Sequence, residues 1–419
     1  MPPSSSRASA RVKTLRKSQS RLSEHDYANA EKVMIERADS MSSRANAGES
    51  FTDDELDDVI NSLHNITPHH TSIDWDALRR LLRDIAHLSH KEWHVTDRNA
   101  EKMAKILTPD GLTSEASQIF ERILHEGNWD GALAYANIRN ADLKRTPWAV
   151  LVTGVNGIRK TTAMYQPWFS KALREALVPP SGTEVDFDVD SLPTGENSFF
   201  RQLDHMITTL CNEDFSLLYA LTGAQLSSNE RNPEPPQELI QNYSKLKASI
   251  FSRYRTLSEM LGVLLLKEAQ TVNINVMCET SGRDVAMFHY IDHFFGQKRY
   301  NKVAINFRIN DLRRAMQSVD ERMVKEIKNG KDALTGDVVD VIYANEGGPY
   351  GSEVLAKVQE DSDRVWNAIV SNENGVGKDW YKATFEIEAY TNTPWTIRAV
   401  KADGSYGTRF EFEDARNVC

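Results

Sequence analysis

The sequence predicts an α/β fold, a parallel sheet sandwiched by helices, with a helical domain before it and a small antiparallel β element after it. Short apolar runs alternate with helical patterns from about residue 147 to 344. Polar residues follow these runs, as they do at the carboxyl ends of strands in open α/β sheets. Alternating apolar residues near the C-terminal end predict the antiparallel element.

The stretch from Trp148 to Thr162 predicts a strand, a glycine-containing loop and a helix. An apolar run ends at Gly154, and Lys160 precedes two threonines. Glycines let successive backbone N–H groups turn inward, lysine reaches phosphates and a hydroxyl ligates Mg²⁺. The loop therefore predicts binding of ATP with Mg²⁺, with Thr161 as a metal ligand. The candidate nucleotide-binding residues are Gly154, Val155, Asn156, Gly157, Ile158, Arg159, Lys160, Thr161 and Thr162.

Arg159 stands where the usual Gly-x-x-x-x-Gly-Lys-Ser/Thr spacing has its last glycine. Its side chain either adds charge beside the transferred phosphate or prevents the loop from closing on a nucleotide. The second alternative predicts a relic without catalysis. A tight strand-to-helix turn with an incidental lysine is a third interpretation.

Composition predicts a soluble protein of two or three domains. The 419 residues are 40% hydrophobic with a net charge of −10, and no apolar run approaches the roughly 18 residues of a membrane span. The acidic balance argues against a general nucleic-acid binder, which needs clustered lysine and arginine. Cys211, Cys278 and Cys419 form no Cys-x-x-Cys pair, so a reduced compartment such as the cytoplasm is favoured.

Residues 1–50 predict a disordered, basic and serine-rich tail. The first 23 residues carry six basic residues and seven serines, with no acid before Glu24. This composition is also typical of an organelle transit peptide, which is the alternative localisation. From Glu24 to Ser50 we expect disorder or a loosely attached helix.

Residues 51–145 predict a helical domain. One helix is capped by Ser72 or Asp74, and another begins at Thr113 and ends at Gly127. These amphipathic helices must pack against another apolar surface.

Histidines are frequent in this helical region. On a helix, His87, His90 and His94 would share one face. No carboxylate or cysteine lies at a recognisable ligand spacing, so surface or interface histidines are favoured over a metal site.

Residues 146–346 predict the α/β domain and residues 347–419 a C-terminal helix with a β appendage. This appendage either closes an edge of the core or makes a dimer. The expected elements are strands at Glu184–Val189, Val272–Cys278 and Lys302–Phe307, helices at Phe199–Leu210, Gln237–Ala269, Val285–Phe295 and Ser352–Val370, a helix capped by Asn310 or Asp311, an exposed loop at Ser227–Gln237, and strands around Phe385–Ala389, Trp395–Ala399 and Arg409–Phe412.

Alternate carboxylates at the end of a strand point to the same side, so Asp188 and Asp190 are candidates to accept a proton from an attacking hydroxyl. A solvated strand end or a helix cap is the alternative. Their spacing also resembles a calcium loop, which is rejected because Ser191 and Asn197 replace its glycine and glutamate.

Other polar residues are expected at the same sheet edge. Glu279 is a candidate contact for the acceptor substrate or the metal, and Ser281 and Arg283 follow it. Arg322, on a later helix, is a candidate to swing over the nucleotide. The alternatives are a helix cap for Glu279 and an exposed surface arginine for Arg322.

Together these motifs resemble the zeta-toxin family of P-loop kinases over about residues 147–330. The resemblance implies that Lys160 and Thr161 hold ATP and Mg²⁺ and that Asp190 is the general base on a substrate hydroxyl. The family's acceptors are UDP-activated amino sugars. The resemblance further implies acceptor contacts from Glu279 and Ser281, support from Arg283, and a phosphate contact from Arg322. Asp188, at the same strand end as Asp190, is a further candidate for contact with the substrate.

The sequence departs from that family in three places. Arg159 replaces a glycine, no arginine occurs near Thr335 where a second phosphate arginine is expected, and the segment before Glu279 is longer. The loop and the later Thr280–Arg283 also resemble signal-recognition-particle GTPases, although no Thr-Lys-x-Asp guanine motif is present. The favoured function is an ATP-dependent kinase of a small-molecule hydroxyl, with a regulatory protein of little turnover and a GTPase as alternatives. Oligomeric state is open.

Overall fold

The structure is a computed structural model that describes residues 24–67, 73–109, 111–112, 115–142, 146–184, 187–228, 236–296 and 299–413. The chain divides into two compact units, each assembled from three separated segments. The first unit contains residues 1–123, 203–265 and 320–351, and the second contains 124–202, 266–319 and 352–419. These units do not follow contiguous ranges of the chain.

The elements alternate between helix and strand only after residue 147. The helices are α1 (Glu24–Ala47), α2 (Asp53–Ile66), α3 (Trp75–Ile85), α4 (Trp93–Leu107), α5 (Glu121–Glu126), α6 (Trp129–Asp142), α7 (Lys160–Met164), α8 (Phe169–Ala176), α9 (Leu203–Leu210), α10 (Asn212–Ser228), α11 (Gln237–Thr271), α12 (Ala286–Phe294), α13 (Leu312–Ala333), α14 (Val338–Tyr343) and α15 (Leu355–Val370). The strands are β1 (Trp148–Thr153), β2 (Ser198–Arg201), β3 (Asn275–Glu279), β4 (Asn301–Ile309), β5 (Tyr381–Glu388), β6 (Thr396–Val400) and β7 (Tyr406–Glu411).

The described part of the first unit is helical, and α1 buries one apolar face in it, formed by Met34, Ala38 and Met41. Met34 is fully buried, and the Arg37 guanidinium pairs with the carboxylates of Asp58 and Asp214. Burial, with the nearby Asp214, raises the pKa of Asp58 to about 7. Disorder is therefore wrong for residues 24–47, which form an anchored helix.

The helical region agrees with the sequence in part. Asp74 caps α3, accepting a hydrogen bond from the Ala77 N–H at 2.9 Å. The helix expected from Thr113 is instead a 3₁₀ turn, Glu115–Ile119, followed by α5. The alternative cap Ser72 and the start at Thr113 lie outside the described residues.

The three histidines do not share a helical face. Helix α3 ends at Ile85 and α4 begins at Trp93, so His87 and His90 lie in the connection between them. No described helix of the chain is both long enough and apolar enough to cross a bilayer.

The second unit contains a seven-stranded sheet in the order β2-β3-β1-β4-β5-β6-β7. Strands β2, β3, β1, β4 and β5 run parallel, and β6 and β7 are antiparallel. Every residue of β1 is buried, as expected for a central strand covered on both faces. The sequence correctly predicted an α/β fold with an antiparallel C-terminal element, which extends one edge of the sheet.

Two elements differ from the sequence interpretation. Residues 187–188 are irregular and Val189–Ser191 forms a 3₁₀ turn where a strand was expected. The sheet position beside β3 is taken by Ser198–Arg201, which was assigned to a helix. Phe199 and Phe200 are fully buried there, whereas a run of aspartates would place charges in a buried parallel strand.

Candidate functional site

The loop between β1 and α7 passes close to backbone atoms of β4 and α13. A Cβ on Gly154 would lie 2.5 Å from the Phe307 carbonyl oxygen, and one on Gly157 would lie 2.5 Å from that of Ala315. Both glycines also have positive φ angles, 131° and 81°. Only glycine combines this backbone shape with such close approach.

Backbone donors of this loop are available for a ligand. Among the residues that the structure describes, the N–H groups of Val155, Asn156, Gly157 and Ile158 have no hydrogen-bond acceptor. Consecutive N–H groups of a curled loop form a concave site for anions. The loop therefore has the donors that phosphate oxygens require.

Lys160 places its ammonium group at this loop. Its Nζ donates a 2.8 Å hydrogen bond to the Val155 carbonyl and lies 2.9 Å from Glu279 Oε1. The lysine side chain is only 3% exposed, whereas that of Glu279 is 30% exposed. The lysine charge is thus held inside the loop by a carboxylate that still reaches solvent.

Thr161 and Glu279 provide oxygen ligands side by side. The Thr161 hydroxyl donates to Glu279 Oε2 at 3.3 Å. Mg²⁺ binds oxygen, and it commonly takes one or two protein ligands together with water and substrate phosphates. Within the described residues, no group of three or more His, Cys, Asp or Glu side chains could hold a metal alone. The pair fits a magnesium ion shared with bound phosphates.

Arg159 does not fill the loop. Its backbone lies in the left-handed region, with φ 61° and ψ 32°, which explains why a glycine is usual at this position. The exposed guanidinium lies over the Trp395 ring, 4.6 Å from the ring centroid. The side chain is directed toward the segment before β6, so the conformation of the loop tolerates arginine.

The left-handed backbone has a measurable consequence. Arg159→Gly is expected to be more stable than Arg159→Ala by about 1 kcal/mol, because both lack the guanidinium and only glycine is unstrained there. Urea denaturation of the two variants measures this difference in the free energy of unfolding. An alanine variant as stable as the glycine variant would contradict the assigned backbone conformation.

The structure places Asp188 and Asp190 away from the loop, which corrects the sequence interpretation. The Trp148 indole N–H donates to the Ser191 carbonyl at 3.0 Å, and the Trp148 ring lies 4.9 Å from that of Phe187. Trp148 begins β1, whereas the loop follows its end, about 17 Å farther along the strand. Both aspartates are exposed at the amino-terminal edge of the sheet.

The segment after β3 lies at the same edge as the loop. The Thr280 N–H donates to the Val152 carbonyl at 2.9 Å, and a Cβ on Gly282 would lie 3.0 Å from Thr153 Cβ. Ser281 is half-buried and Arg283 is exposed. The sequence thus grouped Glu279, Ser281 and Arg283 with the loop correctly in position, while their contacts with a substrate stay a prediction.

Arg322 belongs to the first unit. Its guanidinium donates to the Gly348 carbonyl at 3.1 Å, and its Nε lies 3.5 Å from Glu326 Oε1. These contacts hold the half-buried Arg322 side chain against the buried Glu326. Its contact with a phosphate stays a prediction.

Trp395 is the residue of this region that the sequence did not indicate. It lies more than 230 positions after Arg159 in the sequence. The antiparallel pairing of β6 with β5 sets Thr396 opposite Glu388, which brings Trp395 to the carboxyl end of the parallel strands. The alternating apolar pattern predicted β6. It did not predict that Trp395, just before β6, contacts Arg159 of the loop.

No protein-family model matches the sequence, and no curated protein matches it. A solved structure from the PezAT chromosomal toxin–antitoxin system of Streptococcus pneumoniae is similar at 12% identity and a TM-score of 0.30. The similarity covers 67% of this chain and 81% of that chain. A TM-score this low places the chain in no family.

Proposed function

We propose that the second unit binds a nucleoside triphosphate with Mg²⁺ and transfers the terminal phosphoryl group to a hydroxyl of a small molecule. The observation that carries this proposal is the contact of Glu279 with both Lys160 and Thr161, at the carboxyl ends of the neighbouring strands β1 and β3. A buried lysine, a hydroxyl and a carboxylate beside a loop with open N–H groups suit a phosphate chain with its metal.

The charge of each residue suggests its role: the cationic side chain would bind phosphate, and the oxygen-bearing side chains would bind the metal. ATP with Mg²⁺ supplies the activated phosphoryl group and neutralises charge that develops on it. Lys160 would hold phosphate oxygens in place of the Val155 carbonyl, and Thr161 and Glu279 would hold the metal. Because phosphoryl transfer depends mainly on positioning and electrostatic stabilisation, this group of residues is the central part of the machinery.

The acceptor would bind beside the segment after β3. Ser281 and Arg283 lie at the sheet edge that carries the loop, and both have exposed surface. A hydroxyl donor and a guanidinium suit an acceptor with hydroxyl and phosphate groups. A nucleotide sugar, which the resemblance to zeta toxins implies, has both.

A second candidate is a nucleotide-binding regulatory protein without phosphoryl transfer. It is favoured by the position of Asp190, which lies at the opposite edge of the sheet. In that case the loop would bind a nucleotide, and no aspartate from this segment would receive the proton of a hydroxyl.

The test is calorimetric titration of the full chain with ATP, with and without Mg²⁺. We expect Mg²⁺ to tighten binding by wild type, and Glu279→Gln to lose most of that gain because it removes a carboxylate ligand. Asp284→Asn is the matched control, since this exposed carboxylate follows Glu279 and accepts a hydrogen bond from the Ala286 N–H at the start of α12.

Two outcomes would revise the proposal. Absence of ATP binding by wild type, with or without Mg²⁺, would remove it. Binding without ADP formation, when hydroxyl-bearing metabolites are supplied, would select the regulatory protein instead.

A further inference from the structure

The backbone of Trp395 is held by the C-terminal hairpin of β6 and β7. The Phe412 N–H donates to the Trp395 carbonyl at 3.0 Å. Trp168, which precedes α8, donates its indole N–H to the Glu411 carbonyl at 2.8 Å and stacks on the Phe410 ring at 5.2 Å. The backbone of Trp395 is therefore tied to the residue after β7, and β7 itself is packed against the segment that follows the phosphate loop.

Arg159 and Trp395 form a partly solvent-exposed cation–π pair beside that loop. The guanidinium carbon lies 4.6 Å from the indole centroid. Arg159 is exposed and Trp395 is half-buried. Because Arg159 directly precedes Lys160, the pair lies next to the loop to which the phosphates are assigned.

The backbone at Arg159 adds a second observation. A residue with a Cβ in the left-handed region costs of order 1 kcal/mol, and such strain is concentrated at functional sites. Here the strained residue directs a cationic plane onto an aromatic ring. A glycine at position 159 would remove the backbone strain, but it would also remove the guanidinium group that lies over the Trp395 ring.

We propose that Arg159 and Trp395 form a stacking platform for the base of the nucleotide whose phosphates bind the adjacent loop, an inference that rests on the proposed function. Bases stack on aromatic side chains and on guanidinium planes. Such stacking accepts any base, because every base has a π-face. The ligand class is therefore a nucleoside triphosphate, and the platform distinguishes it from inorganic triphosphate.

The experiment compares Mg-ATP with Mg-tripolyphosphate, which has phosphates but no base. Wild type is expected to prefer ATP by roughly 5- to 150-fold, the range of base–aromatic stacking. Trp395→Ala is expected to lose most of this preference while its affinity for tripolyphosphate changes little. Trp395→Phe is expected to keep part of it, since a phenyl ring still stacks.

Two further variants separate the platform from general effects on the hairpin. Arg159→Gly removes the guanidinium without altering the hairpin, and it is expected to reduce the ratio of the two affinities. Tyr406→Ala removes an exposed aromatic ring at the far end of β6, where Tyr406 pairs with Val400, and it is expected to keep the wild-type ratio.

Each failure has its own signature. If wild type binds neither ligand, the proposed function is wrong. If wild type prefers ATP and Trp395→Ala retains that preference, only the platform is wrong. A ratio that falls equally in Tyr406→Ala would also overturn the platform, because the loss would then reflect the hairpin as a whole.

Discussion

Replacing Lys160 with methionine is expected to weaken ATP binding by more than about 100-fold, or about 3 kcal/mol, because hydrogen bonds to charged groups each contribute about 1.5–3 kcal/mol. The ammonium group is buried at the loop, where little water competes with a phosphate for it. Methionine keeps the apolar stem and removes only the charge and the donors. Titration calorimetry with Mg-ATP measures the change.

A matched control comes from the opposite edge of the same sheet. Lys302 is also buried, and its Nζ lies 2.6 Å from Asp292 Oδ1 near the start of β4. Lys302→Met is expected to lower stability without changing the affinity for ATP. Equal loss of ATP affinity in both variants, or none in Lys160→Met, would contradict the role of Lys160.

Glu326→Gln is expected to lower the free energy of unfolding by about 3–5 kcal/mol at pH 7, the usual cost of breaking a buried ion pair. Glu326 and Lys247 are both 0% exposed and lie 2.6 Å apart. The carboxylate also accepts hydrogen bonds from the Tyr243 hydroxyl at 2.9 Å and the Glu346 N–H at 3.1 Å. Loss of its charge leaves Lys247 buried without its counter-charge. Urea denaturation measures the loss.

The loss of unfolding free energy in Glu326→Gln, relative to wild type, should shrink as pH rises from 7 to 9. Burial, opposed by Glu326, lowers the pKa of Lys247 from 10.5 to about 8. Between the folded pKa of about 8 and the unfolded pKa of 10.5, Lys247 keeps its proton in the unfolded chain and has released it in the folded chain. The free energy of unfolding therefore rises with pH in this range. Without the Glu326 charge, the pKa of folded Lys247 falls further, so this gain starts at lower pH. A loss of unfolding free energy that grew with pH would contradict the pairing of Lys247 with Glu326.

The double variant Lys247→Met with Glu326→Gln completes the comparison. Removing both charges together leaves neither Lys247 nor Glu326 as an unpaired buried charge, so the loss of unfolding free energy is expected to be smaller than the sum of the two single losses. Additive losses would mean that the two side chains do not interact.

Local patterns predicted the elements whose sequence signals are self-contained. The loop glycines, the long α11 and the alternation in β5 and β6 each depend on neighbouring residues. Asp190 was placed wrongly because its segment is not a strand. Its position is set by the contacts of Phe187 and Ser191 with Trp148, which no local pattern encodes.

The site was predictable to the same extent. Lys160, Thr161 and Glu279 each end or follow a buried strand, so their meeting at one sheet edge followed from parallel topology. The left-handed conformation of Arg159 and its contact with Trp395 did not follow from the parallel topology, because Trp395 belongs to a hairpin far along the sequence.

The placement of β5 next to β4 has a consequence for synthesis on the ribosome. Strand β4, with Ala304, Ile305 and Phe307 fully or almost fully buried in the finished sheet, has only β1 beside it until residues 381–388 emerge. For that interval its unpaired edge is open to other nascent chains. A chain that terminates prematurely before residue 381 would keep that edge permanently and would be prone to aggregate.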